Sequence, residues 1–208
     1  MTRAMLEGPS LAVAQRRRGA ALEDAILEAA YAELSEAGYS TFSVEAVAAR
    51  ARTGKASIYR RWATKQLLVL DALCARLPTA QDCGFEPVLP ESMTTVEALY
   101  MVARKITDIL SSPAGDAIRA VKCEAVTDPE LARAIDDRFQ APRRAALLAL
   151  LERGAARGEV RPGAVTPLVA DVLPAVLTHR VLVQREPVTE KVITAILEQV
   201  LIPLIEPR

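Results

Sequence analysis

The sequence predicts an all-α protein, and three observations point there. Of its 208 residues 51% are hydrophobic but only 4% are aromatic. The apolar mass is Ala, Leu and Val; Ala and Leu are strong helix formers, whereas strands favour β-branched and aromatic side chains. Apolar positions recur at i, i+3 and i+4 along most of the chain, and cap-forming Ser, Thr and Asp residues open these runs while Gly and Pro close them. The length fits one large domain or two small ones, and the apolar content excludes global disorder.

The elements follow in order. Residues 17–36 carry Leu22, Ile26, Ala29, Ala30 and Leu34 at helical spacing, and Gly38 ends that helix as a left-handed terminator. Ser43 caps a short helix over residues 44–51 whose Val44, Val47 and Ala48 point one way. Arg52-Thr53-Gly54 is a tight turn into a third helix, residues 55–62, with Ile58 and Trp62 four apart on its buried face. Thr64 caps a fourth, residues 65–77, bearing Leu67, Leu68, Leu70 and Leu73. Pro78, Gly84, Pro87 and Pro90 mark a connection. Beyond it, Thr94 and Glu97 form a capping box that opens a helix to residue 110, and residues 116–126 form the next. Asp128-Pro129 opens a segment to residue 157 that Pro142 must kink or divide. Thr166-Pro167 opens a helix to residue 183, and Thr189 caps the last, to residue 205. These last two helices are apolar over more of their circumference than one packed face requires, which predicts a second copy of the chain against them. The expected division is an arm at residues 1–16, a helix-turn-helix unit at 17–77 and a helical bundle at 78–208.

Charge separates the units. The formal net charge is zero, but residues 1–65 hold ten Lys and Arg against seven Asp and Glu. Arg50, Arg52, Lys55, Arg60, Arg61 and Lys65 fall in a stretch with no carboxylate from Ala46 to Lys65, and Arg16, Arg17 and Arg18 precede the first helix. Positive charge gathered on a small N-terminal unit is the electrostatic footprint of phosphate binding. The longest apolar stretch is broken by Pro167, Asp171, Pro174, His179 and Arg180, so neither a membrane span nor a membrane partner is expected, and the chain is expected in the cytoplasm. Cys74, Cys83 and Cys123 lack C-x-x-C spacing and are expected as free thiols.

Two short helices joined by a three-residue turn, with a helix before them to close a small core, make a helix-turn-helix. The polar part of the second is cationic and carries the small residues Ala56 and Ser57, which let a backbone approach a groove. The segment from Phe42 to Ala51 and on through Ser57-Ile58-Tyr59-Arg60-Arg61-Trp62-Ala63-Thr64-Lys65 resembles the DNA-binding domain of TetR-family transcriptional regulators. Asp128-Pro129-Glu130-Leu131, Ala141-Pro142-Arg143-Arg144 and Arg157-Gly158-Glu159 resemble one C-terminal subfamily of them. The turn departs from the family, which more often has Gly-Val-Ser where this chain has Arg52-Thr53-Gly54.

The resemblance implies a homodimer on a palindromic double-stranded DNA operator, acting as a repressor that a small-molecule effector releases. It implies that Tyr59, Lys65, Arg61 and Ser43 meet phosphates and that Lys55, Ala56, Ser57 and Arg60 face base edges. It places Arg104, Glu124, Phe139 and Arg143 on helices that line the ligand pocket, and His179 is expected at the subunit interface or on the pocket wall. No cofactor and no metal site is expected, because the one histidine lacks partner ligands nearby. Two other readings stay open: a helix-turn-helix activator or architectural binder without effector, and an all-helical enzyme. The enzyme lacks H-E-x-x-H, G-x-S-x-G and any glycine-rich phosphate loop.

Overall fold

The computed structural model describes residues 11–76, 90 and 92–207; most of the expected arm and most of the expected connection lie outside the described residues. Among the described residues the regular structure is helical throughout, with no strand.

Helix α1 (Leu11–Ala37) starts six residues ahead of the expected position and ends where Gly38 takes φ 77°. α2 (Val44–Arg50) is opened by Ser43, whose Oγ accepts the Ala46 N–H at 3.3 Å. α3 (Lys55–Tyr59) is one turn shorter than expected. α4 (Lys65–Cys74) opens on Thr64, whose hydroxyl accepts the Leu67 N–H. α1 packs on α2 and α4 around Ile26, Leu34, Val47, Ile58, Trp62 and Leu68, all buried. This core does not close on itself: Val121, Leu131 and Ile135, from the helices that follow, complete it.

α5 (Thr95–Ser111) carries the predicted capping box, with the Thr94 N–H donating to Glu97 at 2.8 Å. α6 (Pro113–Glu124) begins two residues past the end of α5, with only Ser112 between them, so the Ser-Ser-Pro-Ala-Gly stretch starts a helix as well as ending one; a proline in the first helical position has no N–H to leave unpaired. The corner is close: a Cβ on Gly115 would run into the Leu110 carbonyl. α7 (Pro129–Ile135) is capped by Asp128, which accepts from Glu130 and Leu131 N–H groups at 3.0 Å. It continues through a wide turn, Asp136–Gln140, of π geometry, into α8 (Ala141–Ala156). α9 (Pro167–Thr178) runs on through a second π turn, His179–Gln184, and α10 (Glu190–Ile196) through a third, Leu197–Leu201, into α11 (Ile202–Ile205). Pro142 and Pro203 each follow such a turn. A proline lacks the N–H and its ring crowds the carbonyl four residues back; widening the turn there lets the helix pass without breaking.

Leu99, Val102, Leu147, Leu151, Leu173 and Leu197 centre a second core among α5, α8, α9 and the C-terminal helices. Leu168 and Val183 stand well exposed, with Val200 and Leu204 less so, on the last two helical segments. No helix among the described residues is long and apolar enough to cross a membrane. Cys123 is free, but Cys74 is disulfide-bonded, which corrects the expectation of a free thiol there; pairing depends on where the fold brings the sulfurs, which sequence spacing does not reveal.

The Arg157-Gly158-Glu159 motif fastens α8 to the start of α5. Glu159 Oε2 accepts both the backbone N–H and the hydroxyl of Thr95 at 2.7 Å, and these bonds hold its pKa below the ordinary 4.5. A depressed carboxylate contributes stability that is present above the unfolded pKa and lost as pH falls through the folded one. Urea titrations of the wild type and Glu159→Gln are therefore expected to differ at neutral pH, the variant being weaker, and to converge as the pH drops below 4.5.

Candidate functional site

The turn between α2 and α3 is set by an arginine. Arg52 sits in the left-handed region at φ 50°, while Gly54 has φ −87° and serves as the residue before α3. The glycine in this turn is thus not the one that the backbone requires. A side chain in the left-handed region costs about 1–2 kcal/mol relative to the right-handed one, a penalty that glycine escapes. Arg52→Gly is expected to raise unfolding stability by about 1 kcal/mol with an unchanged urea m-value.

Ile58 and Trp62 are buried beneath α3, and Lys55, Ala56, Tyr59 and Arg60 form its exposed face. Tyr59 is 51% exposed although large and aromatic. Ser57 and Arg61 are half-buried at the edge. The Arg60 guanidinium donates to Ser57 Oγ at 3.0 Å, and Arg61 donates to the Ser57 carbonyl at 3.0 Å.

The cations that stand free of acids in sequence do not all stand free in space. Arg50 reaches back to α1, lying 3.4 Å from Glu33 and pairing with Glu36. Lys55 Nζ pairs with Glu45 at 2.7 Å, and Glu45 also accepts from the Ser43 hydroxyl at 3.2 Å. Lys65 donates to the Tyr39 carbonyl at 2.8 Å, with its ammonium 4.2 Å from the centre of the Tyr39 ring; burial lowers its pKa. Arg52, Arg60 and Arg61 have no carboxylate partner among the described residues. Charge repeats read along the chain missed Glu33, Glu36 and Glu45 because they come from earlier helices.

This unit hangs on the second half of the chain through polar links. Trp62 Nε1 donates to Asp71 Oδ2 at 2.9 Å, and the other oxygen of Asp71 pairs with Arg138 in the first π turn. Gln66 donates to Asp128 Oδ2 at 3.2 Å, at the start of α7.

Behind these links lies a cavity of about 110 Å³ bounded by α4, α5, α6, the first π turn, α8 and the end of α9. Phe139 and Arg143 line it, as do Leu70 and Leu73 of α4. Three expected lining residues do not. Arg104 is exposed and bound to Glu190 at 2.6 Å; it lies two residues before Ile106, which does line the cavity, and so turns to the far side of the helix. His179 is exposed, although its neighbour Thr178 is on the wall. Glu124 sits past the last lining residue of α6, where its charge acts on Tyr39 and Lys65. Conversely, Lys122 and Gln140 line the cavity and were not expected. Lys122 had a signal: it falls on the Ile118-Val121 stripe of α6, a cation on an apolar face. Burial lowers the pKa of Lys122, with Arg143 adding to the effect, and burial likewise lowers that of Arg143.

Comparisons with known proteins agree with this arrangement. The family model described as "Bacterial regulatory proteins, tetR family" matches residues 26–72, and that described as "Tetracyclin repressor-like, C-terminal domain" matches residues 89–200. The chain is 32% identical over 192 residues to the DNA-binding transcriptional repressor TetR of Mycobacteroides abscessus, covering 91% of this chain and 97% of that one. It is 30% identical over 175 residues to the HTH-type transcriptional regulator YdeS of Bacillus subtilis, covering 84% and 85% respectively. The crystal structure of the TetR family transcription regulator SCO0332 superposes with a TM-score of 0.68 at 25% identity, over 89% of this chain and 99% of that one.

Proposed function

The chain belongs to the TetR family of helix-turn-helix transcriptional regulators, a family of DNA-binding proteins and not of enzymes, and from that premise we propose a homodimeric repressor that a small molecule releases from a palindromic operator. The helix-turn-helix unit is residues 17–77 and the effector-binding and dimerising bundle residues 78–208, and the protein works in the cytoplasm, where its DNA is. The observation that carries the reading is the exposed face of α3, where Lys55, Ala56 and Arg60 project from a helix anchored by Ile58 and Trp62.

In this reading Arg60, Lys55, Ala56 and Ser57 meet base edges, Arg and Lys donating to guanine acceptors and the alanine methyl touching thymine. Tyr59 and Arg61 meet phosphates and fix the register, joined by Ser43 at the start of α2 and by Lys65, which keeps two N–H donors beyond the one it spends on Tyr39. To reach the DNA, Lys55 must exchange Glu45 for a base, so its contact is a swap and not a pure gain. Dimerisation uses the exposed apolar residues Leu168, Val200 and Leu204 of the last helices.

Release follows from the shared wall. Leu70 and Leu73 belong to α4, which also carries the Asp71 that holds Trp62. A ligand that pushes on α4 or on the first π turn shifts the Arg138–Asp71–Trp62 link. Across two subunits this changes the separation of the α3 helices, which must be about 34–36 Å to enter successive major grooves, or a related distance. The ligand needs only to bind that mismatched conformer better. Gel shifts over a salt series test the DNA half of the proposal. Steep loss of duplex binding with rising salt is the expected outcome, and a protein that ignores duplex DNA at low ionic strength contradicts it.

A further inference from the structure

We propose that the cavity takes a small organic anion, one carboxylate on a single aromatic ring or short alkyl chain, with the carboxylate held between Lys122 and Arg143. The proposal rests on reading that cavity as the effector site and adds the chemistry of the effector.

Among the described residues the wall is aliphatic apart from Phe139, Gln140, Thr178 and two cations, and no carboxylate lines it. Lys122 makes no hydrogen bond or ion pair with any described residue, and Arg143 Nε is buried with no acceptor. The acid whose charge reaches Arg143, Asp171, is already bound by Arg144 at 2.7 Å. Two like charges therefore share an apolar wall, and each feels the loss of water. A half-buried cation with no partner is destabilising until an anion meets it, so the wall carries the charge that an anion relieves. The planar guanidinium accepts a carboxylate with two parallel N–H···O bonds, and the ammonium adds a point charge from the side. Gln140 and Thr178 supply neutral hydrogen-bonding groups.

Size limits the rest of the ligand. At about 110 Å³ the space is smaller than the roughly 150 Å³ apolar cavity known to admit benzene, so a short alkyl chain fits most readily, a single ring requires the wall to give, and a fused-ring ligand requires the helices to part. A hydrocarbon leaves both cations unmet, and an organic cation adds a third like charge.

Calorimetry on the full-length protein without DNA tests this, with benzoate, 3-phenylpropionate and hexanoate as probes and benzyl alcohol, 3-phenylpropanol and hexan-1-ol as their neutral counterparts. At least one carboxylate is expected to bind, and its alcohol about tenfold more weakly or worse, as the loss of a charge-assisted hydrogen bond implies. Lys122→Met and Arg143→Met are each expected to weaken the carboxylate by about tenfold or more and leave the alcohols little changed, with Arg143→Lys losing less than Arg143→Met. Without ligand, Lys122→Met is expected to melt at a higher temperature than the wild type, since a half-buried cation on an apolar wall is gone. Equal binding of acids and alcohols, no binding of any carboxylate, or full carboxylate affinity in both methionine variants overturns the proposal. A second arm adds the same probes to the operator complex. Carboxylate binding without release keeps the ligand chemistry and contradicts the effector reading, whereas release by the alcohols with the acids inert contradicts the chemistry and keeps the effector reading.

Discussion

Trp62→Ala is expected to cost about 3–5 kcal/mol of unfolding free energy, the range for removing a large aromatic side chain from a packed core. Trp62 is 4% exposed and stands one helical turn from Ile58, at 1%, so nothing nearby is free to fill the space. The loss exceeds that of an apolar truncation because the indole N–H also holds Asp71. Trp62→Phe keeps most of the volume and loses that donor alone, so urea denaturation is expected to place it between the wild type and the alanine variant. The difference between the two variants separates packing from the link to α4. A Trp62→Ala protein as stable as the wild type would mean that the indole is not the keystone of the helix-turn-helix core.

Arg60→Ala is expected to weaken a specific operator by about 1–3 kcal/mol for a lost bidentate base contact, and random duplex by less. Tyr59→Phe is expected to weaken both alike, since a phosphate contact carries no sequence information. Among the described residues the Arg60 guanidinium meets no carboxylate and donates to the nearby Ser57 hydroxyl, a weak tether that a base can displace. Lys55→Ala is expected to lose specificity in the same direction but more mildly, because the variant also releases Glu45 from its ion pair. Equal losses on operator and random DNA for Arg60→Ala would remove it from the base-reading set.

The helical frame was legible because its signals are local. Ser43, Thr64, Thr94, Asp128 and Thr166 all cap the helices they were expected to open, since a side-chain oxygen needs only the next two or three N–H groups to act. Gly38 ended α1 for a reason equally local. Pro142 was read as kinking or dividing its segment; whether a helix breaks or widens at a proline depends on the partners packed around it, and here a π turn absorbs the ring. The Arg52-Thr53-Gly54 turn was legible as a turn, but not that Arg52 takes its left-handed position.

Sites that depend on tertiary contact were harder to read. Ile58 and Trp62 declared themselves by spacing, whereas the carboxylates that meet Arg50 and Lys55 come from elsewhere in the chain. For the cavity, membership of the right helix was legible but rotation about its axis was not, so Phe139 and Arg143 line the wall while Arg104 faces water. Lys122 shows what would have helped: a cation on an apolar stripe is worth more attention than one on a polar face.

Repression as proposed requires two copies of α3 to enter one duplex as a symmetric pair, and the most direct measurement is to select bound duplexes from a random pool and weigh the complex formed on the recovered site. The predicted result is an inverted repeat with half-site centres about 10 base pairs apart or a related spacing, carrying a whole number of chain pairs, and bound less tightly once Arg60 is alanine. A recovered site without two-fold symmetry, or one occupied by a lone chain, would contradict it.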